Sequence, residues 1–382
     1  MTLSIPRMLG ELVALPSVSS SDPKLDSSNL AVIEKLAGWL EGLGFEVEIQ
    51  PLEDQPQKAN LVATLGTGPG GLVLAGHTDT VPYDDGRWDS DPFKLLDQDQ
   101  RYYGLGTTDM KGFFPLVVEA AAAFKNEKLR QPLIVLATAD EETSMSGARA
   151  IAASGRPKAR YAVIGEPTGL KPIRMHKGVM MESIELRGQS GHSSNPALGN
   201  SALDAMHKVI GALMNLRDEW GGQYNNPGFH VPQPTMNLAS IHGGDAPNRI
   251  CSHCKLQFDI RLLPGMANDE VREQIHQLVE STLLESGISA HYSSLVDGIQ
   301  AFAESEDSEL VRKVEQLTGH SAGSVNFATE ASFLQGLGMQ TVVLGPGSID
   351  CAHRPNEYLP QNQIDPAVSI LKQLIQYYCV KA

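Results

Sequence analysis

Apolar positions in the first third of the chain alternate between helical and strand spacing. Leu30, Ile33, Leu36, Ala37 and Leu40 recur every three or four residues and predict a helix, with Gly44 placed to cap its end. Phe45 to Ile49, Leu61 to Leu65 and Leu72 to Ala75 predict strands, and Phe113, Leu116, Val117, Ala120 and Phe124 predict a second helix. Leu133 to Thr138 and Tyr161 to Ile164 are near-continuous apolar runs of the kind buried on both faces of a parallel sheet. This alternation is the grammar of an α/β domain.

From about Gly178 the order changes. Val179 to Leu186 predicts a strand, Leu203 to Leu213 a helix, Thr235 to Ile241 and Lys255 to Leu263 strands, Val271 to Val279 a helix and Ile288 to Val296 a strand. That β-α-β-β-α-β series is ferredoxin-like. The first style then resumes with the helix Leu310 to Leu317, the strand Thr341 to Leu344 and a last helix with Asp365 as N-cap and Pro366 at N1. The expected organisation is an α/β domain in two pieces, 1–177 and 297–382, interrupted by an insertion at 178–296.

Composition narrows the classes of function. The 382 residues carry 30 Lys and Arg against 45 Asp and Glu, a formal charge of −15. Such a surface repels phosphate backbones and anionic membranes, so no nucleic-acid or membrane partner is expected. No signal-peptide core and no apolar span of ~20 residues occurs, which predicts a soluble, cytoplasmic protein. The four cysteines are too few for a disulfide framework, and Cys251 and Cys254 lead into a strand rather than opening a helix, so that pair is read as structural.

In open α/β sheets, ligands collect beyond the carboxyl ends of the strands. Here those positions are rich in metal-binding side chains. His77 and Asp79 follow Leu72 to Ala75, Asp109 and Lys111 follow the Gly104 and Gly106 turn, Asp140, Glu141 and Glu142 follow Leu133 to Ala139, Glu166 follows Tyr161 to Ile164, and His353 follows Thr341 to Leu344. Two imidazoles with three or more carboxylates suit a dinuclear zinc-type site bridged by a carboxylate and a water, with metals roughly 3.5 Å apart. His77 and Asp79 at i and i+2 face one side of an extended segment, so Asp79 is placed to orient the imidazole. Glu141 and Glu142 should point different ways, one as a metal ligand and one as a general base, and spacing does not say which.

Two other motifs point elsewhere and fail on context. Gly319 to Gly323 matches G-x-S-x-G around Ser321, with Asp350 and His353 following in hydrolase order, but it follows a helical run instead of a strand and leaves His77, Asp109 and Glu142 unexplained. The Gly66 to Gly71 segment reads as a hairpin turn rather than a phosphate loop, since it contains Pro69 and leads into a strand.

Gly76 to Pro82, Gly106 to Gly112, Ala139 to Thr143, Gly165 to Thr168 and Ala352-His353 together resemble the metal motifs of the dizinc aminoacylase and carboxypeptidase family, in order and over nearly the whole chain. Glu142 to Ser144 with Gly147, Asn326 to Ala331 and His353 to Tyr358 resemble its acetylornithine-cleaving branch most. The resemblance implies a phosphorylase/hydrolase-like dizinc catalytic domain with an inserted dimerisation domain, a homodimer, and two divalent ions, zinc or alternatively cobalt. Under it, His77 would complete one zinc and Glu142 its partner, Asp109 would bridge, Glu166 and His353 would be the remaining ligands, and Glu141 the general base. In the insertion, Gly188 to Ser193 resembles the motif whose His reaches the other subunit's site, making His192 the oxyanion donor, while Asn248 and Arg261 match substrate-holding positions. Thr329 and Glu330 are further candidate substrate contacts, Glu330 for the cationic end of an ornithine-like molecule. The implied reaction is deacetylation of acetylornithine in arginine biosynthesis, with acetylcitrulline, succinyl-diaminopimelate or dipeptides as alternative small acyl amino acid substrates.

Overall fold

A computed structural model describes residues 4–84 and 86–380. The chain forms two compact units: 1–174, 304–323 and 329–382 make the first, and 175–303 with 324–328 the second.

The first unit is built on a mixed sheet. Six of its strands lie side by side in the order Glu46–Pro51, Ala59–Leu65, Leu133–Thr138, Leu72–His77, Tyr161–Pro167, Gln340–Gly345. The last four are mutually parallel and the first two antiparallel. Leu72–His77, Leu133–Thr138 and Tyr161–Pro167 are buried along their full length, as their unbroken apolar runs require. Helices Leu30–Gly42, Phe113–Ala122, Glu309–Thr318 and Ile364–Ile375 close one core over this sheet through Leu36, Leu116, Val311 and Leu371. Because the four parallel strands point the same way, their carboxyl ends form a single rim.

Three details depart from expectation. Gly66 to Gly71 is no hairpin: Ala59–Leu65 and Leu72–His77 both pair with Leu133–Thr138, which lies between them, so the glycine-rich segment spans a strand's width. The last helix begins at Ile364, because a 3₁₀ turn at Gln361–Gln363 winds directly into it, so the N-cap is Gln363 and Asp365 sits in the first turn. A helix at Ile5–Val13, which patchy apolar spacing did not announce, buries Met8, Leu9, Leu12 and Val13.

The second unit is the β-α-β-β-α-β series itself. Four antiparallel strands in the order Thr235–Gly243, His253–Leu262, Gly178–Arg187, Ser289–Ile299 carry helices Ala202–Gln223 and Asn268–Thr282. Strict alternation of burial along His253–Leu262 sends Cys254, Leu256, Phe258, Ile260 and Leu262 into the core. Cys251 and Cys254 are free thiols, with Cys254 in that apolar layer. Ser321 lies in the loop after Gly319, which caps helix Glu309–Thr318 in the left-handed region at φ 71, so no strand precedes it.

Candidate metal centre

His77 ends the Leu72–His77 strand and is fully buried. Its Nε2 lies 3.1 Å from Asp109 Oδ1 and 3.7 Å from Glu166 Oε1. Asp109 turns its other oxygen to His353 Nε2 at 3.2 Å, and the same nitrogen lies 2.9 Å from Glu142 Oε2. His77, Asp109 and Glu166 thus form one three-residue donor group and Asp109, Glu142 and His353 another, the ligand atoms of each within 4.8 Å of one another. Asp109 belongs to both. His77, Glu141 and Glu142 form a third such group, so Glu141 adjoins the centre.

The electrostatics call for a multivalent cation. Burial, with the negative charge of Asp109, pushes Glu166 well above the usual carboxyl range and Glu142 up to about 7. Burial also pushes Glu141 up, reinforced by Glu166 and Glu142. Asp109 goes the other way: burial opposes its ionisation, but hydrogen bonds from His353 and His77 hold it well below the usual range. Hydrogen bonds to Asp109 and Glu142 raise His353 to about 10. Carboxylates this crowded and dry share too few positive partners, and the oxygen and imidazole donor set is the one that divalent zinc-like ions take. The residues therefore fit two such ions.

The loops that bring these side chains together are fixed from behind. Asp79 accepts the Glu141 N–H at 3.2 Å on one carboxylate oxygen and the Glu142 N–H at 3.1 Å on the other. With both oxygens so engaged, the carboxylate stands 3.6 Å from His77 Nδ1, beyond hydrogen-bond reach, and the nearer acceptor is the Asp79 carbonyl at 3.0 Å. The Asp79 carboxylate thus stands beside the His77 imidazole and also holds the Glu141-Glu142 backbone. Asp140, at φ 58, accepts from Lys58 Nζ at 2.5 Å, Ser19 Oγ at 2.8 Å and Ser146 Oγ at 3.1 Å.

Thr329 and Glu330 are 0% and 2% exposed, as buried as the donors His77 and Glu166. The Thr329 hydroxyl accepts the Ala331 N–H at the start of helix Ala331–Gly336, and one Glu330 oxygen accepts from Thr138. In the second unit, His192 is exposed with Nδ1 2.7 Å from Ser194 Oγ. It adjoins the segment carrying Asn248, whose carbonyl accepts the Ser193 N–H at 3.2 Å. Arg261 projects from His253–Leu262 and donates to Asp259 at 3.1 Å.

Sequence reasoning missed Glu357 and Lys58. Glu357 is buried four residues after His353, within the stretch His353 to Tyr358, and accepts three backbone N–H groups of the Asp109 loop. Lys58 gave no signal, since lysines are overwhelmingly surface residues.

Residues 73–377 match Peptidase family M20/M25/M40, and the chain belongs to that family. It is 50% identical over 368 residues to an acetylornithine deacetylase of Edwardsiella ictaluri (strain 93-146), covering 96% of each chain. It is 47% identical over 370 residues to an acetylornithine deacetylase of Proteus mirabilis (strain HI4320), covering 97% of this chain and 95% of that one. Its fold is similar to that of an M20 family metallo-carboxypeptidase from Sulfolobus solfataricus, with TM-score 0.73 at 18% identity over 98% of this chain and 99% of that one. A dinuclear metal-binding M20 peptidase of Bacillus subtilis aligns with TM-score 0.68 at 15% identity, covering 97% and 96%.

Proposed function

We propose that the chain hydrolyses the acetyl amide of acetylornithine to ornithine and acetate, as a step of arginine biosynthesis. The observation that carries the reaction class is Asp109's membership of two donor groups, a bridging carboxylate's position. The choice of substrate is supported by near-half identity to acetylornithine deacetylases along almost the full length of both chains.

In this reading His77, Asp109 and Glu166 hold one ion, and Asp109, Glu142 and His353 the other, zinc in preference to cobalt. When bound, the ions supply Lewis-acid polarisation of the amide carbonyl and lower the pKa of water toward ~7. Glu141 takes the proton of the attacking water and later delivers it to the departing amine nitrogen. Its raised pKa suits a group that must hold that proton between the two events. Asp79 keeps the Glu141 backbone fixed during both transfers. Asn248 and Arg261 bind the substrate's carboxylate or acyl oxygen. We further propose a homodimer through the 178–296 insertion, in which His192 of one copy donates to the oxyanion formed in the other, and a cytoplasmic location. No described helix is long and apolar enough to cross a membrane.

The test is a kinetic panel of acetylornithine, acetylcitrulline, succinyl-diaminopimelate and a small dipeptide with the metal-loaded protein. The highest kcat/KM is expected for acetylornithine. A higher value for any of the others would reassign the substrate.

A further inference from the structure

The 353–357 segment carries both His353, at one end, and a carboxylate that grips the loop bearing Asp109, at the other. Glu357 is 2% exposed. Its Oε1 accepts the Thr108 N–H at 2.7 Å and the Asp109 N–H at 3.0 Å, and its Oε2 accepts the Gly106 N–H at 3.0 Å. Its carbonyl accepts the Gly104 N–H at 3.1 Å, and the next carbonyl, of Tyr358, accepts the Thr108 hydroxyl at 2.5 Å. Residues 104–109 belong to no strand of the main sheet, so these contacts set where the Asp109 carboxylate points. Gly106 sits at φ 78, and a Cβ there would meet Lys111 Cε at 2.7 Å and Thr80 Cγ2 at 2.8 Å, so the loop is confined on its other side as well.

We propose that Glu357 is a positioning residue for the dinuclear centre: it sets the separation of Asp109 and His353, the donors that its own segment and the gripped loop supply. The proposal rests on the dinuclear reading given above. A buried carboxylate close to Asp109 is a costly way to pin a loop, because like charges repel in a dry site; three N–H donors on its two oxygens are what make it tolerable. A neutral side chain cannot replace it. The amide of a glutamine has one accepting oxygen, so Glu357→Gln sets an N–H group against at least one backbone N–H whichever way it turns.

The test is Glu357→Gln with Glu357→Asp alongside, each titrated with zinc against a chromophoric chelator and assayed at saturating zinc. Groups that orient metal ligands typically influence affinity by 10–100-fold. We expect the dissociation constant of at least one of two zinc ions to rise by roughly that factor, and kcat at saturating zinc to fall while KM changes little. A variant that melts at a lower temperature but binds both ions with wild-type affinity would reduce Glu357 to a fold staple and overturn the proposal. Amide hydrogen exchange of the zinc-free wild type is the second measurement, and it covers the case in which neither variant folds. Gly106, Thr108 and Asp109 should be as protected as the central strands, and rapid exchange there overturns the proposal. If wild type binds no zinc while these amides stay protected, the dinuclear reading fails and the grip on the loop stands.

Discussion

Lys58→Met removes the cation from a nearly dry triad. Lys58 Nζ lies 2.6 Å from Asp26 and 2.5 Å from Asp140, with the lysine and Asp140 side chains each 3% exposed and that of Asp26 19%. Leaving one charge of a buried pair unpaired costs about 3–5 kcal/mol. Asp140 would keep the hydroxyl donors Ser19 and Ser146 and Asp26 would regain some water, which argues for the lower end, ~3 kcal/mol. At about 2–4 °C per kcal/mol for a large domain, Tm should fall by ~6–12 °C. Burial works to lower the Lys58 pKa, but hydrogen bonds to Asp140 and Asp26 outweigh it and hold the group above its ordinary value. A raised lysine contributes stability that is fully present below its unfolded pKa of ~10.4 and lost only as pH rises through the still higher folded value. The Tm gap between wild type and variant should therefore be flat from pH 6 to 9 in differential scanning calorimetry. Adding Asp140→Asn should recover part of the loss, since the uncompensated charge is gone. A variant melting within ~2 °C of wild type, or a gap that closes within that pH range, would refute the reasoning.

Other consequences are checked as readily. Asp79→Ala frees the amides of Glu141 and Glu142, so kcat should drop ~10–100-fold with both ions retained, as steady-state kinetics beside metal analysis would read. Glu142 has a folded pKa raised to about 7 in the metal-free form. Groups raised in this way contribute stability that is present below their unfolded value of ~4.3 and lost as pH climbs through the folded one. Chelator-treated protein should accordingly melt higher at pH 5.5 than at 7.5, and zinc should reverse the order because its ligands must be deprotonated. Mixing Glu141→Gln with His192→Ala should restore some activity through hybrid dimers, and none despite demonstrated subunit exchange would remove His192 from the partner's reaction.

The sequence announced what repeats or follows a strand. Apolar runs such as Leu133 to Thr138 declare burial on both faces, and the alternation along Lys255 to Leu263 declares one buried face, so the two styles of architecture could be read directly. The candidate metal donors were legible because strand ends put His77, Glu142 and Glu166 on one rim by geometry alone. What stayed hidden depends on partners distant in sequence. Nothing local says that Leu133–Thr138 inserts between two strands joined by Gly66 to Gly71. Nothing local says that Lys58 faces Asp140 or that Glu357 turns back onto Gly106, since each is an ordinary charged residue until the fold buries it.

The central claim is a dinuclear centre whose proton carrier, Glu141, is not itself needed to hold metal. Metal analysis of purified Glu141→Gln, with acetylornithine turnover followed in the same sample, tests it most directly. The account predicts two divalent ions per chain, as in wild type, with deacetylation reduced by at least ~10². Loss of the ions together with activity would make Glu141 a ligand, and near-normal turnover with the ions in place would contradict its role as the base.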